Sequence, residues 1–278
     1  MVVDAIEALR LRLAGPRQEN KTIGLVPTMG ALHKGHERLI QKARHECSHV
    51  AVSIFVNPTQ FDRKDDLARY PRTLDADLAV CDRLGVDTVF VPGVSEIYPH
   101  PAACSVSVGS LADHLCGPFR PGHFTAVATV VLKLFEIVQP HRAYFGEKDA
   151  QQLAIIRRMV ADFNIPIAIV GVETVREDDG LALSSRNARL SEKERSLAPV
   201  LFKALRKARD LVRSGTRDAQ EVRRQAVELI PADSSVRLEY LEVVDPMTLQ
   251  PVQTISGPVL IAGALWVGTT RLIDNLST

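Results

Sequence analysis

The stretch Thr22–Ile40, "TIGLVPTMGALHKGHERLI", decides the fold of the first part of this 278-residue chain. Its first five residues form a short, largely apolar run, which is typical of a strand buried on both faces of a parallel sheet. Helical spacing of apolar residues then runs from His36 to Cys47. A second apolar run, Val50–Val56 ("VAVSIFV"), follows and ends at an Asn-Pro turn. Strand, helix and strand within about 35 residues predict a βαβ crossover.

The same alternation of strand-like and helical patterns continues to about Gly171. It predicts a doubly wound, Rossmann-like α/β domain with a parallel sheet, in which ligands bind beyond the carboxyl ends of the strands. The further strand-like runs are Asp87–Pro92, Ala143–Gly146 and Ile167–Val172, and the helical patterns are those near Leu74–Leu84, from Thr125, and over Asp149–Phe163.

The pattern changes after Arg186, where we expect a smaller domain. Ser191 and Glu194 form a capping-box pattern that opens a helix, and apolar residues up to Leu211 mark one face of it. A second helix is expected from Thr216, followed by strand-like runs, "RLEYLEVVD" and "VLIAGALWVG". Helices followed by strands predict an α+β domain, so the expected division is 1–186 and 187–278.

Composition narrows the class of protein. Apolar residues make up 46% and charged residues 24%, and Lys plus Arg (34) balance Asp plus Glu (33). A net charge of +1 gives no support for a nucleic-acid or membrane-surface protein. The four cysteines form no CxxC pair, and the N-terminal pattern, "MVVDAIEALRLRLAG", reads as an amphipathic helix without the apolar core of a signal peptide. We therefore expect a soluble protein of the reducing cytoplasm that binds neither nucleic acid nor membranes.

His33 and His36 stand where the first strand ends and the helix begins. Backbone N–H groups and the positive end of a helix dipole point at a ligand there, and Gly30 allows close backbone approach. Imidazoles in this place can donate hydrogen bonds to phosphate oxygens, which is the favoured interpretation. A metal site would need another ligand that the neighbouring sequence does not offer, and two packing histidines are the third alternative. Walker A and GxGxxG patterns are absent.

Three further segments carry side chains suited to small acids or anions. Asn57 and Gln60 follow the second strand, and their carboxamides suit a hydroxy acid or an amino acid, although Asn-Pro also simply turns the chain. The charged segment 62–78 is either a mobile flap or a solvated loop. Arg120 and His123, in "GPFRPGHF", are candidates for anion binding or parts of a structural turn.

Two later segments could meet phosphate. In "FGEKDAQQ", Lys148 follows a strand end, Asp149 is a good helix N-cap, and Gln152 lies one helical turn further on. In "LSSRN", Ser184, Ser185 and Arg186 place two hydroxyls beside a guanidinium, a combination that can grip a triphosphate. The alternative for this second segment is an ordinary loop with a surface arginine.

Taken together, these segments resemble the pantothenate synthetase (pantoate–β-alanine ligase) family, which belongs to the nucleotidyltransferases with HxGH and KMSKS-type signatures. The likeness runs through six motifs in order: "PTMGALHKGH", "SIFVNPTQF", "YPRT", "FGEKDAQQL", "TVREDDGLALSSRN" and "GTTRLIDN". It implies ATP-dependent condensation of (R)-pantoate with β-alanine through an enzyme-bound pantoyl adenylate, with release of AMP and pyrophosphate. It also implies Mg²⁺ with ATP, no tightly bound organic cofactor, and a homodimer.

The resemblance also assigns roles to residues, and it makes 1–186 the ATP- and pantoate-binding catalytic domain and 187–278 a lid. Implied catalytic residues are His33, His36, Lys148 and Arg186. Implied ATP-binding residues are Met29, Gly30, His33, His36, Gly146, Lys148, Asp149, Val175, Leu183, Ser184, Ser185 and Arg186. Implied pantoate- and β-alanine-binding residues are Asn57, Gln60, Arg120, His123 and Gln152. No metal ligand is assigned, because the acidic cluster at Asp75 and Asp77 is interrupted by Ala76.

Two rival functions share these motifs. One is a nucleotidyltransferase that keeps AMP in a dinucleotide product, and the other is a catalytically silent nucleotide-binding or RNA-interaction module. Release of free AMP that depends on both acids would separate the ligase from both rivals. No protein nucleophile is needed for adenylate chemistry, so none of the cysteines is expected to be catalytic.

Overall fold

The computed structural model describes all 278 residues, which include nine strands and ten α-helices. The strands are β1 Val2–Val3, β2 Ile23–Thr28, β3 His49–Ile54, β4 Thr88–Phe90, β5 Arg142–Gly146, β6 Ala168–Val172, β7 Val236–Val244, β8 Leu260–Val267 and β9 Thr270–Ser277. The helices are α1 Ile6–Gln18, α2 Lys34–Glu46, α3 Lys64–Ala68, α4 Leu74–Arg83, α5 Val94–Ile97, α6 His123–Val138, α7 Ala150–Asp162, α8 Glu192–Leu197, α9 Val200–Arg213 and α10 Ala219–Val227. None of the helices is long and apolar enough to cross a membrane.

The chain forms two compact units, each made of separate segments. Unit 1 consists of Met1–Val108, Pro121–Glu147 and Ile155–Glu173. Unit 2 consists of Gly109–Arg120, Lys148–Ala154 and Thr174–Thr278. The division into functional domains at residue 186 stays a prediction.

Unit 1 contains a six-stranded parallel sheet in the order β1-β4-β3-β2-β5-β6. The predicted doubly wound α/β fold is therefore confirmed. Strand β2 pairs with β3 on one side and with β5 on the other, so the strand order reverses at β2. Proteins with parallel sheets bind ligands beyond the carboxyl ends of the strands at such a reversal. Here those strand ends are Thr28 of β2 and Gly146 of β5.

The helix α2 shows why the quoted stretch folds as it does. Leu39, Ile40 and Ala43 lie on one face of α2 and are buried in a core cluster with the β2 and β3 side chains Val26 and Val52. Burial of each large apolar side chain contributes about 1.5–3 kcal/mol, so the pattern of spacing stabilises this packing. The helical interpretation of the N-terminus is wrong at Val2 and Val3, because this β-branched pair extends the sheet edge at β4.

Unit 2 contains an antiparallel sheet in the order β7-β8-β9 with helices packed on it, which confirms the predicted α+β character. Ala204, Leu205 and Ala208 of α9 are fully buried in its core, along with Ile261 and Leu265 of β8. Each of these helical residues follows the spacing seen in the sequence, which brings them onto one face.

Two details of unit 2 differ from expectation. Ser191 caps α8 in a capping box with Glu194, as predicted, but the expected long helix stops at Leu197. Pro199 has no N–H to donate, so the chain begins a separate helix, α9, after it. The helix expected from Thr216 begins later, because the Asp218 side chain accepts hydrogen bonds from the N–H groups of Gln220 and Glu221 and caps α10.

The charged segment 62–78 is not a structureless loop. It contains α3 and the first turns of α4, and Tyr70 between them is buried with its ring 5.5 Å from that of Phe61. Whether the segment moves as a flap stays a prediction.

His49 makes the stability of unit 1 depend on pH. It is buried on β3, with Nε2 3.0 Å from Thr88 Oγ1, and burial lowers the pKa of His49 against the opposing attraction of Asp87. The unfolded chain therefore takes up a proton that the folded chain excludes as the pH falls below about 6.5. We expect the free energy of unfolding to fall from pH 7.5 to 5.5, and to fall less in His49→Gln. Urea unfolding at pH 7.5 and at pH 5.5 measures the free energy of unfolding of each protein. His45→Gln is the control, because His45 is exposed on α2. An equal fall in His49→Gln and in the unsubstituted protein contradicts the assignment.

Candidate functional site

The loop between β2 and α2 has an unusual backbone. Gly30 and Ala31 both have positive φ, 79° and 50°, in the left-handed region. Gly30 tolerates this conformation, whereas a Cβ there would lie 2.9 Å from Asp77 Oδ2 and 3.1 Å from Ile54 Cγ2. Ala31 has no such freedom, since the left-handed region costs a non-glycine residue about 1–2 kcal/mol. The surrounding structure must therefore hold this loop in place.

Asp77 of α4 holds the loop. Its side chain is buried, and its two carboxylate oxygens accept hydrogen bonds from the N–H groups of Ala31, at 2.9 Å, and Leu32, at 2.7 Å. Thr73 Oγ1 donates a third, at 3.3 Å. Thr28 Oγ1 accepts from Gly30 N–H, so successive amides of the loop are all bonded. A buried carboxylate with several donors is well compensated, and it determines where the following histidines stand.

His33 and His36 form a reciprocal cap at the start of α2. Nδ1 of His33 accepts from Gly35 N–H at 3.1 Å, and Nδ1 of His36 accepts from His33 N–H at 3.3 Å. The ring centroids are 4.1 Å apart. A neutral imidazole whose Nδ1 accepts a hydrogen bond carries its proton on Nε2. Each ring is thereby set to present an Nε2–H donor, as phosphate binding requires, and Nε2 in that tautomer has no lone pair for a metal.

The glycine in His-Lys-Gly-His is needed for this cap. A Cβ on Gly35 would lie 2.8 Å from Cε1 and 3.0 Å from Nδ1 of His33. Contacts that short are not tolerated, so any larger residue would displace the His33 ring. Glycine is thus required at position 35 by close packing against the His33 ring, and not by a turn conformation.

Gln60 lies in a network with Asn57 and His123, all within unit 1. Asn57 is buried, donates from Nδ2 to Gln60 Oε1 at 3.1 Å, and accepts at Oδ1 from Tyr98 OH at 3.1 Å. The side-chain Nε2 of Gln60 lies 3.2 Å from Met29 Sδ. The backbone carbonyl oxygen of Gln60 lies 2.9 Å from His123 Nδ1. Burial of the hydroxyl raises the pKa of Tyr98, so it stays a donor at neutral pH. Asn57 and His123 are therefore placed to orient Gln60.

In unit 2, Lys148 and Asp149 lie in a 3-10 turn directly before α7. The ammonium of Lys148 is 3.8 Å from the Asp149 carboxylate, and both side chains retain exposure to solvent. Gln152 is in the first turn of α7, where a helix N-terminus favours anions. Arg120 lies in the 109–120 segment of the same unit, close in sequence to Cys116, whose N–H donates to Gln151.

Val175 and Leu183 pair as neighbours in a short hairpin of unit 2. The Leu183 N–H donates to the Val175 carbonyl at 3.0 Å, and the next residues inward, Arg176 and Ala182, form a β-bridge. Ser184 Oγ then accepts from Arg186 N–H and caps the 3-10 turn Ser185–Arg189. The hairpin therefore pairs Val175 with Leu183, the residue that directly precedes Ser184 and Ser185.

Two residues that support the site were missed at the sequence level. The sequence shows Asp77 only as part of an interrupted acidic cluster, whereas in the structure its oxygens accept backbone hydrogen bonds from the histidine loop. Gln151, next to Gln152, is buried and binds the 109–120 segment through Cys116 N–H, Leu111 carbonyl and His114 carbonyl. Helical periodicity could have indicated that Gln151 faces inward, because Ile155 and Met159, four and eight residues further along the same helix, are apolar and buried.

Comparison with known proteins gives one consistent family. The sequence profile described as "Pantoate-beta-alanine ligase" matches residues 1–277. A "Bifunctional pantoate ligase/cytidylate kinase" of Synechococcus elongatus is 53% identical over 277 residues; the match covers 99% of this chain, which spans about half (51%) of the length of that relative. The chain is also similar to the crystal structure of the pantothenate synthetase of Thermus thermophilus (TM-score 0.93, 47% identity, 99% of this chain and 98% of that one). A pantoate-beta-alanine ligase of Francisella tularensis, solved with β,γ-ATP and β-alanine, has a TM-score of 0.82 at 36% identity, over 99% and 97% of the two chains.

The role of Asp77 predicts a specific cost of substitution. In Asp77→Asn one of the two loop amides faces an NH₂ group instead of an oxygen, and a buried unsatisfied donor costs about 1–3 kcal/mol. We expect the free energy of unfolding to fall by about that amount in urea titration. Asp75→Asn is the matched control, because Asp75 is exposed in the first turn of the same helix and loses the same charge. Equal stability of the two variants would show that Asp77 does not hold the loop.

Proposed function

The chain belongs to the pantoate-beta-alanine ligase family, and on that premise we propose that it condenses (R)-pantoate with β-alanine at the expense of ATP. The products are (R)-pantothenate, AMP and pyrophosphate, and the intermediate is an enzyme-bound pantoyl adenylate. This reaction supplies pantothenate for coenzyme A synthesis. The solved relative with β,γ-ATP and β-alanine supports the choice of two of the three substrates.

The observation that carries the proposal is the pair of backbone hydrogen bonds that His33 and His36 accept at Nδ1. Backbone N–H groups donate to both Nδ1 atoms, which leaves the proton of each neutral ring on Nε2, at the start of α2 and close in sequence to the end of β2, where the strand order reverses. Such donors suit phosphate oxygens, and they need no reorganisation when charge develops during the reaction. The backbone around Met29 and Gly30 lies in the same loop and is proposed to contact the nucleotide through groups other than the Gly30 N–H, which already donates to Thr28 Oγ1.

The chemistry requires donors of this kind. A pantoate carboxylate is a poor acyl donor, because an oxide ion is a poor leaving group. Attack of the carboxylate on the α-phosphorus of ATP forms the acyl adenylate and expels pyrophosphate, and negative charge grows on the oxygen that bridges the α- and β-phosphorus atoms. His36 is proposed to stabilise this charge, assisted by His33. The β-alanine amine then attacks the acyl carbon, AMP leaves, and the ammonium proton is lost to solvent.

Residues of unit 2 are proposed to serve the same reaction. Lys148 and Arg186 supply positive charge to the phosphates, and Ser184 and Ser185 supply hydroxyl donors. Asp149 is proposed to bind the ribose, and Leu183 to contact the nucleotide, as is Gly146 at the end of β5 in unit 1. A contact from Val175 to adenine would use its N–H or the second lone pair of its carbonyl, because Leu183 occupies the first.

Gln60 and Gln152 are proposed to bind pantoate, and Gln60 to contact β-alanine as well. Carboxamides both donate and accept, which matches a ligand with hydroxyl and carboxylate groups. The network at Asn57 and His123 orients Gln60, so these two residues would act on substrate binding largely through it. Arg120 is proposed to attract the pantoate carboxylate.

Mg²⁺ is proposed to enter with ATP. No group of three or more His, Cys, Asp or Glu side chains suited to a metal is present, and Mg²⁺ is commonly held by substrate phosphates, waters and one or two carboxylates. Bound there, the ion would neutralise phosphate charge. We also propose that the protein is a cytoplasmic homodimer, and sedimentation equilibrium would measure its mass. We further propose that 187–278 and the 62–78 segment close to exclude water, because acyl adenylates hydrolyse readily.

The function is tested by the products. With ATP, pantoate and β-alanine, we expect free AMP and pantothenate in equal amounts, because one adenylate is consumed for each amide formed. AMP release should depend on both acids, and chromatography of the mixture measures it. AMP retained in a larger product would favour a dinucleotide-forming transferase, and absence of turnover would favour a silent nucleotide-binding module.

His36→Ala tests the tautomer argument. Loss of a preorganised donor to a developing oxyanion costs about 100- to 1000-fold in kcat, so we expect at least that decrease with the fold intact by circular dichroism. His45→Ala, at the exposed far end of the same helix, is the control and should retain turnover. Wild-type kcat in His36→Ala would remove this residue from the mechanism.

A further inference from the structure

The closing motif "GTTRLIDN", Gly268–Asn275, contains none of the residues to which the proposed function assigns a role. It forms the turn into β9 and most of β9 itself, the third strand of the unit 2 sheet. Its last two residues, Asp274 and Asn275, each bind a segment that carries proposed nucleotide-binding residues. Both segments and β9 lie within unit 2.

Asn275 binds the backbone of Lys148. Its side-chain Nδ2 donates to the Lys148 carbonyl oxygen at 2.9 Å, across 127 positions of sequence. Lys148 lies in a 3-10 turn of three residues, which has few backbone bonds of its own. A hydrogen bond from a strand side chain therefore fixes the peptide that follows Lys148, and with it the direction in which the lysine leaves the turn.

Asp274 binds the residue after Val175. Its carboxylate is buried and pairs in a bidentate manner with Arg176, with Nη1–Oδ2 and Nη2–Oδ1 distances of 2.6 and 2.9 Å. The same guanidinium donates to the Gly180 carbonyl at 3.1 Å and lies 4.3 Å from the centroid of the Phe202 ring. Arg176 is thus held on every side, and it anchors the hairpin in which Val175 and Leu183 pair.

The two anchors are joined to each other. Asn275 N–H donates to Asp274 Oδ1 at 2.8 Å, and Arg176 Nη2 donates to the Asn275 carbonyl at 3.4 Å. One dipeptide of a rigid strand consequently sets the backbone of two irregular segments. Sites built on irregular segments need such support, because a displacement of about 1 Å can cost on the order of 100-fold in rate.

We propose that Asp274 and Asn275 are positioning residues for the nucleotide, with Asn275 acting through Lys148 and Asp274 through the Val175 hairpin. This inference rests on the proposed function, which assigns ATP to those segments. Neither side chain needs to touch ATP. Their effect is to hold the Lys148 turn and the Val175 hairpin in place within unit 2.

Asn275→Asp is the sharpest test, because it keeps the shape of the side chain and replaces the donor by an oxygen that repels the Lys148 carbonyl. We expect kcat/KM for ATP to fall roughly 10- to 100-fold, with the KM for β-alanine unchanged. Leu276→Ala is the control, because Leu276 neighbours Asn275 on β9 and packs in the unit 2 core. It should lower thermal stability while leaving kcat/KM for ATP unchanged.

A double substitution distinguishes positioning from general loosening. If Asn275 acts through Lys148, the loss of ATP affinity caused by Asn275→Asp should largely disappear in a Lys148→Met background, as measured by calorimetric titration with ATP. Fully multiplicative losses, an unchanged ATP affinity in Asn275→Asp, or an equal loss in Leu276→Ala would each overturn the inference. Asp274→Asn, which keeps one oxygen on Arg176, should likewise lower ATP affinity.

The inference and the function fail differently. If the unsubstituted protein releases no AMP with both acids, the ligase proposal is wrong, and ATP titration of the variants still tests whether Asn275 acts through Lys148. If the unsubstituted protein is active and Asn275→Asp matches it in kcat/KM for ATP, only the positioning inference is wrong.

Discussion

The hydrogen bonds from Ala31 and Leu32 to the Asp77 carboxylate are the interaction on which the unit 1 site depends. They offset the cost of the left-handed conformation of Ala31, and without them we expect the loop to relax toward an ordinary connection. With them, the chain enters α2 at an angle that lets His33 and His36 cap the helix with Nδ1. The hydrogen bonds that both imidazoles accept at Nδ1 thus depend on a carboxylate about 40 residues away in sequence that need not touch a ligand.

Unit 2 uses the same principle with different groups. Lys148 and the serines of 184–185 lie in short, irregular segments, and the bonds that hold those segments come from regular elements, through Asn275 on β9 and Asp274 opposite Arg176. Gln151 on α7 does the same for the 109–120 segment. Irregular backbone can approach a ligand closely, but it has no ladder of its own, so side chains of the rigid elements must satisfy its amides and carbonyls.

The regular elements were predictable because their signals are local. The run at Val50–Val56 and the spacing of Leu39, Ile40 and Ala43 follow from the periods of strand and helix, and the Ser191 capping box is a pattern of four residues. Errors arose where a local signal was overridden. The pattern beyond Leu197 looked continuous, yet Pro199 divides it, and Val2–Val3 pairs with β4 because a sheet edge was available to it.

The sequence by itself determined the alternation of strands and helices in the first part of the chain, the family, and which imidazoles, amides and cations are candidates for binding ATP and the two acids, because periodicity and motif order are carried by neighbouring residues. The tertiary structure decided how those candidates are oriented. Asp77 reaches the histidine loop, Tyr98 reaches Asn57, and Asn275 reaches Lys148 only once strands and helices have packed. Hydrogen bonds between residues far apart in sequence leave no periodic trace, so no local pattern could have revealed them.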